Sequence, residues 1–243
     1  MDGKFFRLHF FYEFIGTFFL VMANTMLTSS PDPNRDSIAF INWFVWGGMR
    51  YIRPSTTLDP LQTLGPELVV LGYYWSAKGW LKILGSIAFQ LGGSIAGAYL
   101  SFLFQGSDDA LFSQNLTMPA EGSSISPYEM FLGDFIFCFA MDCVNYAFIW
   151  QMIEDFKKAQ GNAQTPDPDT VVSMPRIEGP AAGAVLFLAI ECMFYTTRGS
   201  FIITRSFGPA VLLNDFTNLG WYFLGQCAGQ LCACLCFVFA FFD

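Results

Sequence analysis

The segments TLGPELVV at residues 63–70 and SFGPAVLL at residues 206–213 are two versions of one pattern. Each follows a full-length apolar stretch, and each is too short to cross a bilayer by itself, because a spanning helix needs about 20 apolar residues. Short half-helices of this kind can meet end to end in the middle of a membrane and line a water-filled path. The pattern therefore predicts a membrane protein with a duplicated core of broken helices, and we expect the functional site there.

The composition also indicates a membrane protein. Of the 243 residues, 53% are hydrophobic and 13% are charged, whereas soluble domains contain about 25% charged residues. Six apolar stretches are predicted to span the bilayer: residues 8–28, 38–53, 80–104, 128–151, 179–197 and 216–241. We expect one all-α transmembrane domain over residues 1–243.

The distribution of cations predicts the orientation in the membrane. With the N-terminus in the cytoplasm, only Arg35, Arg198 and Arg205 of the 12 lysines and arginines fall on the outer side. This asymmetry follows the positive-inside rule and predicts that both termini are cytoplasmic. Asn115 begins the sequon Asn-Leu-Thr in the predicted outer loop 105–127, which makes it a glycosylation candidate. The choice between a plasma and an organelle membrane stays open.

Two further sequence pairs show that the duplication extends beyond the half-helices. EFIGTF at residues 13–18 parallels DFIFCF at 134–139, and QLGG at 90–93 matches QCAG at 226–229. Three matched pairs in the same order predict a three-plus-three repeat, over about residues 8–104 and 128–241. Because an odd number of spans separates the copies, the second copy is inverted relative to the first. The glycines have the spacing that allows helices to approach closely in lipid.

Several function classes are disfavoured. His9 is the one histidine and no nucleophile has a base at a useful spacing, so we expect no enzyme. The seven cysteines lie in apolar spans, and Cys232 with Cys236 lacks further ligands, so we predict no metal site and no cofactor. Cations are few and divided between the membrane faces, which argues against nucleic-acid binding. The polar loop 152–178 is interpreted as a connector, with a regulatory or partner-binding role as the alternative.

EFIGTFFLV at residues 13–21 and RSFGPAV at 205–211, with half-helices after the second and fifth spans, closely resemble the aquaporin or major intrinsic protein family. The resemblance covers essentially the whole chain. It implies an aquaporin-like bundle of six transmembrane helices and two re-entrant half-helices. It also implies a pore in each subunit and a tetramer, which we expect to be a homotetramer in a lipid bilayer.

The chain departs from the family at both half-helix signatures, which usually read Asn-Pro-Ala. The matching residues are Asp59-Pro60-Leu61 and Ile202-Ile203-Thr204, so neither asparagine is present. Asp59 can still act as a helix cap. An ionised Asp59 would also offset the positive field that helps such pores to exclude cations, whereas burial could keep it neutral. Ile202 can neither cap nor donate, and an apolar midplane can stop conduction by dewetting.

The resemblance also implies which residues line the outer constriction. Arg205 matches the family's arginine directly, and the aromatic position of the second span falls on Phe40. Ile190 stands where water-selective members have histidine, and the fourth position falls on Gly199 or Ser200. Such a constriction is less polar and wider, which favours small neutral solutes such as glycerol alongside water. The alternative is that these side chains pack elsewhere because the altered loop is displaced.

Glu13 and Asp134 are ionisable residues inside spans, and such residues usually face the protein interior. In the family the equivalent acids brace the backbone of the half-helix loops, so we interpret both as structural supports near the pore. The overall prediction is a passive channel for water and/or small neutral solutes, with atypical selectivity. The alternative is a non-conducting or weakly conducting structural member of the same fold.

Overall fold

The computed structural model describes residues 3–30, 33–53, 56–69, 77–116, 124–160, 178–197 and 200–241. These residues form nine α-helices and a 3₁₀ turn at Ser113–Asn115, without any strand among them. The helices are α1 (Gly3–Thr28), α2 (Arg35–Ile52), α3 (Pro60–Val69), α4 (Ala77–Phe104), α5 (Asp109–Phe112), α6 (Pro127–Gln160), α7 (Glu178–Thr197), α8 (Ile203–Leu213) and α9 (Leu219–Phe241). The predicted all-α fold class is confirmed.

Each of the six predicted spans is a long helix in the structure. Segments long and apolar enough to cross a membrane lie in α1, α4, α6 and α9, at Arg7–Thr28, Gly79–Phe104, Pro127–Phe148 and Leu219–Ala240. α7 contributes a shorter apolar segment, Gly179–Phe194, and α2 has 18 residues. This succession of apolar helices is that of a multi-pass membrane protein.

The two short segments are helical as well, and each begins earlier than the quoted pattern. α3 has 10 residues and starts at Pro60, while α8 has 11 residues and starts at Ile203. The structure also adds helix where a loop was expected. α5 forms because Asp108 Oδ1 accepts a hydrogen bond from Ala110 N at 2.9 Å, which caps the first turn. α6 continues to Gln160 and α7 begins at Glu178, so residues 161–177 of the loop 152–178 lie outside the described residues.

Long helices of the two halves pair in equivalent ways. α1 packs along α4, and α6 packs along α9. Gly93 of α4 lies against the α1 backbone, where an added Cβ would be 2.4 Å from Phe14 O. Gly229 of α9 lies equally close to Phe135 O of α6, also at 2.4 Å. Glycine is therefore needed at both positions, because the neighbour is backbone that cannot rotate away.

The half-helices pack against long helices from both halves of the chain. α3 contacts α4 and α9, whereas α8 contacts α1, α4 and α9. Between the pairs, α2 packs along α7. This arrangement brings the two short helices to the interior of the bundle, with long helices around them.

Large apolar side chains cover the outer surface of the bundle. Leu81 and Leu84 of α4 are each 61% exposed, and Phe104 at the end of that helix is 64% exposed. On α9, Leu231 is 59% and Phe239 is 72% exposed. A soluble protein rarely exposes apolar surface on this scale, so these faces fit contact with lipid.

Asn115, the glycosylation candidate, is buried with 1% exposure. Its Nδ2 donates hydrogen bonds to Ser29 Oγ and, at 3.0 Å, to Phe112 O. An N-linked glycan is attached at this nitrogen and needs a surface position. We therefore correct this assignment: a three-residue sequon carries no information on burial.

We predict that Gly93→Ala destabilises the protein by about 1–3 kcal/mol, because the new methyl group overlaps the Phe14 carbonyl. The matched control is Gly92→Ala, where the nearest atom to an added Cβ is Phe14 Cε2 at 3.7 Å, an ordinary contact. That variant should be neutral or more stable by up to about 1 kcal/mol, since alanine is the better helix former. Unfolding of both variants in detergent measures the difference. Equal stabilities would contradict the close approach of α1 and α4.

Candidate functional site

The N-terminal ends of the two half-helices meet at Asp59, which is 3% exposed. Asp59 directly precedes α3, and its Oδ2 accepts hydrogen bonds from Leu61 N at 3.1 Å and Gln62 N at 3.2 Å. Aspartate is a preferred N-cap, and Pro60 suits the first helical position because an N–H there would have no partner within the helix. The carboxylate therefore caps α3.

The other oxygen of the same carboxylate serves α8. Asp59 Oδ1 accepts a hydrogen bond from Ile203 N, the first residue of α8, at 2.8 Å. Ile202, at the N-cap position of α8, makes no side-chain capping bond. In the opposite direction, Thr204 Oγ1 donates to Leu58 O at 2.9 Å. One acidic side chain thus caps two helices. The bond from Thr204 to Leu58 O also joins α8 to the loop before α3.

Glu13 of α1 holds the loop that leads into α3. Its Oε1 accepts from Thr57 N at 2.9 Å, and its Oε2 accepts from Leu58 N at 2.9 Å. Gln90 of α4 donates to the same Oε2 at 2.8 Å and to Thr63 Oγ1 at 2.9 Å. The two backbone bonds fix the residues immediately before Asp59, so Glu13 controls where the cap lies.

Asp134 of α6 occupies the corresponding place in the second half, with a different set of bonds. Its Oδ2 accepts from Gln226 Nε2 at 2.7 Å, and Gln226 Nε2 also donates to Ser200 O in the loop before α8. The acid thus reaches the loop through a glutamine. Aspartate has one methylene fewer than glutamate, which accounts for the indirect contact.

Arg205 lies in the first turn of α8 and is 2% exposed. Three serines make hydrogen bonds beside it. Ser200 Oγ and Ser206 Oγ are 2.6 Å apart, and Ser94 Oγ of α4 donates to the backbone oxygen of Thr204. α8 therefore has bonds to both the loop before it and the long helix beside it.

Ile190 and Ile202 belong to one apolar cluster, with exposures of 0% and 1%. The same cluster contains Ala39 of α2, which is also fully buried. Phe40, by contrast, is 51% exposed, and its ring packs beside Trp43 and Phe44 on the outer side of α2. This exposed position does not fit a residue that lines an internal constriction. Gly199 lies outside the described residues.

A buried polar network below the α3 cap was not anticipated as a unit. Gln62 Nε2 donates to Asp142 Oδ1 at 2.5 Å, and Asn145 Nδ2 donates to Gln62 Oε1 at 2.8 Å. Arg50 of α2 extends this network, because its Nη1 donates a hydrogen bond to Asn145 Oδ1 at 2.8 Å. The sequence did carry a signal, since Asp142 and Asn145 are polar residues three apart in an otherwise apolar span.

The site is a meeting point of two short helices inside the bundle. Two helix ends, a carboxylate and a buried arginine converge inside an apolar bundle. In the parts of the chain that the structure describes, no group of three His, Cys, Asp or Glu side chains is arranged to bind a metal ion. The fold and its paired half-helices define an aquaporin-like membrane protein.

Comparisons with known proteins agree with this class. The chain is 25% identical over 226 residues to aquaporin NIP3-1 of Zea mays and 26% identical over 226 residues to aquaporin NIP3-1 of Oryza sativa subsp. japonica. The alignments cover 90% of this chain and 65% and 63% of those relatives, so the chain spans a little under two thirds of their length. No family model matches the chain.

The structural comparison supports the fold over nearly the whole chain. The X-ray structure of the aquaglyceroporin from Plasmodium falciparum superimposes with a TM-score of 0.64 and 16% sequence identity, covering 95% of this chain and 94% of that chain. The chain therefore has an aquaporin-like fold and is similar in sequence to the two plant aquaporins. Its apolar helices and this fold are those of an integral, multi-pass membrane protein.

We predict that Glu13→Gln destabilises the protein by about 1–3 kcal/mol, because one loop N–H would then face an amide NH₂ group and lose its acceptor. Asp134→Asn is the matched comparison. Its carbonyl oxygen can still accept from Gln226, so the loss should stay below about 1 kcal/mol. Unfolding in detergent measures both. A larger loss for Asp134→Asn would contradict the unequal roles of the two acids.

Proposed function

We propose that the chain forms a passive channel for water and small neutral solutes such as glycerol. The proposal rests chiefly on the meeting of the α3 and α8 N-terminal ends at Asp59, with Arg205 in the first turn of α8. Helix ends inside a membrane protein belong beside a water-lined path, since their polar groups cannot face lipid. The names of the maize and rice aquaporins and of the Plasmodium aquaglyceroporin favour the same function over a non-conducting role.

We assign the outer constriction to Arg205, Ile190 and Gly199, with Ala39 in place of Phe40 as the residue from the second span. Ala39 shares the buried cluster with Ile190, whereas Phe40 lies on the outer face of α2. A small residue at this position widens the constriction. The guanidinium group of Arg205 supplies donors that orient hydroxyl groups and a charge that repels cations. This combination suits a polyol as well as water.

Ile202 makes the middle of the passage apolar. It packs in the same cluster as Ile190 and Ala39, and none of the three exposes more than 1% of its surface. We infer that conduction requires these side chains to move apart, as in a hydrophobic constriction that is wet only part of the time. The channel is then slower than one with a polar residue at position 202.

We also propose how the subunit sits and assembles. Residues 1–243 form one domain of inverted repeats, about 8–104 and 128–241, with Glu13 and Asp134 as structural supports and both termini in the cytoplasm. Four copies form a homotetramer with one pore each, and no enzymatic activity is expected. Native mass spectrometry of the purified protein should show a mass four times 27.2 kDa. A mass of one or two subunits under the same conditions would contradict the homotetramer.

Stopped-flow light scattering of proteoliposomes tests the channel. Liposomes that contain the protein should shrink faster than empty ones under a sucrose gradient, and they should re-swell faster under a glycerol gradient. Rates equal to those of empty liposomes for both solutes would contradict conduction and favour a structural role.

Ala39→Val tests the constriction in the same assay. The added methyl groups should oppose passage at a cost of about 1–3 kcal/mol, which lowers the glycerol rate about tenfold and the water rate less. Phe40→Ala is the matched control and should leave the ratio of glycerol to water rates unchanged. The reverse result would place Phe40 in the constriction and Ala39 outside it.

A further inference from the structure

We propose that Asp59 sets the charge selectivity of the channel: its single carboxylate neutralises both half-helix ends. The half-helix ends in the middle of the membrane then add no electrostatic barrier to small monovalent cations, and the exclusion of these cations by charge depends on Arg205. This inference rests on the proposed channel function and concerns a residue that would act on charge, not on the passage of water.

The geometry gives each half-helix one oxygen of the same group. Oδ2 accepts from the backbone of α3, at Leu61 and Gln62, and Oδ1 accepts from α8 at Ile203. All of these partners are N–H donors. An ionised carboxylate is an acceptor at both oxygens, whereas a protonated one would direct an O–H toward a donor, so the arrangement fits the ionised form.

The charges at the junction then cancel. An α-helix carries an effective charge of about +0.5 at its N-terminus, so two half-helices that meet head to head contribute about +1. One ionised carboxylate contributes −1 at the same place. In a pore whose half-helix ends were capped by neutral side chains, that positive field would oppose cations, and here the field is offset where it originates.

The other charged groups around the junction include both signs. Asp142 is joined to the α3 cap through Gln62, and Arg50 reaches the same network through Asn145. Glu13 lies beside Leu58, and Lys82 and Arg53 lie near His9, which is 3.8 Å from Glu13 Oε1.

Arg205 is the cation that α8 itself carries in its first turn, with the buried Asp134 near it. We therefore expect Arg205 to be the cation that opposes entry.

Ile202 explains why a single substitution is a poor test. Without a side-chain cap of its own, α8 depends on Asp59, and Asp59→Asn alone would leave one acceptor for two helix ends. The double variant Asp59→Asn, Ile202→Asn gives each half-helix its own neutral cap. It removes the carboxylate charge and keeps both caps satisfied.

The experiment compares Arg205→Gln in the two backgrounds, in proteoliposomes with entrapped proton- and potassium-sensitive dyes. With Asp59 present, Arg205→Gln should raise cation flux about tenfold or more, because it removes the remaining positive charge from the path. In the double-asparagine background the same substitution should raise cation flux less than about threefold. The control is Asp109→Asn, the same chemical change at an exposed acid of α5. It should alter neither the proton flux nor the potassium flux.

The proposal would be overturned if Arg205→Gln raised the cation flux by the same factor in both backgrounds. It would also be overturned if Arg205→Gln left the cation flux unchanged with Asp59 present, in a protein that still conducts water. Absence of water flux in every variant would instead count against the channel function itself. Infrared difference spectra between the wild type and Asp59→Asn provide a readout that needs no conduction. Loss of a carboxylate stretch supports the ionised cap, whereas loss of a protonated carboxyl band overturns the charge cancellation.

Discussion

Polar backbone groups at the ends of helices must find partners when they lie inside a membrane, and in this protein the Asp59 carboxylate provides them for two helices at once. α3 and α8 are too short to be held by lipid contact. Their positions depend on bonds at their N-termini and on the long helices around them. The junction at Asp59 therefore determines where the two halves of the chain meet.

The long helices act as the frame for this junction. Glu13 and Gln90 form an acid–amide pair between α1 and α4, and Asp134 and Gln226 form the same kind of pair between α6 and α9. The two pairs differ by one methylene in the acid. Glutamate reaches the loop backbone directly, whereas aspartate reaches its loop through the glutamine. A small difference in side-chain length thus gives the loop before α3 direct bonds to an acid and the loop before α8 an indirect contact.

Much of the architecture could be predicted from the sequence because it depends on local composition. Apolar stretches indicate spanning helices, and short matched segments indicate half-helices. The cap of Asp59 on α3 is also local, since its donors lie two and three residues away. Its bond to Ile203 joins residues 144 positions apart and follows from tertiary packing, so the local sequence does not predict it.

The difference between the predicted Phe40 and the proposed Ala39 has a related cause. One residue along an α-helix turns the side chain by about 100°, so an alignment that slips by one position exchanges the buried face for the outer face. Ala39 and Phe40 show this contrast, with exposures of 0% and 51%. The residue type expected at the constriction favoured Phe40, whereas the buried face of α2 favours Ala39.

The shared cap also makes the residues at positions 59 and 202 interdependent. Because Ile202 has no capping side chain, α8 depends on the acid at position 59 as much as α3 does. Asparagine at position 59 would satisfy both half-helices only together with a polar side chain at position 202. The effect of a substitution at either position thus depends on the residue at the other, which is epistasis between two sites 143 positions apart in the sequence.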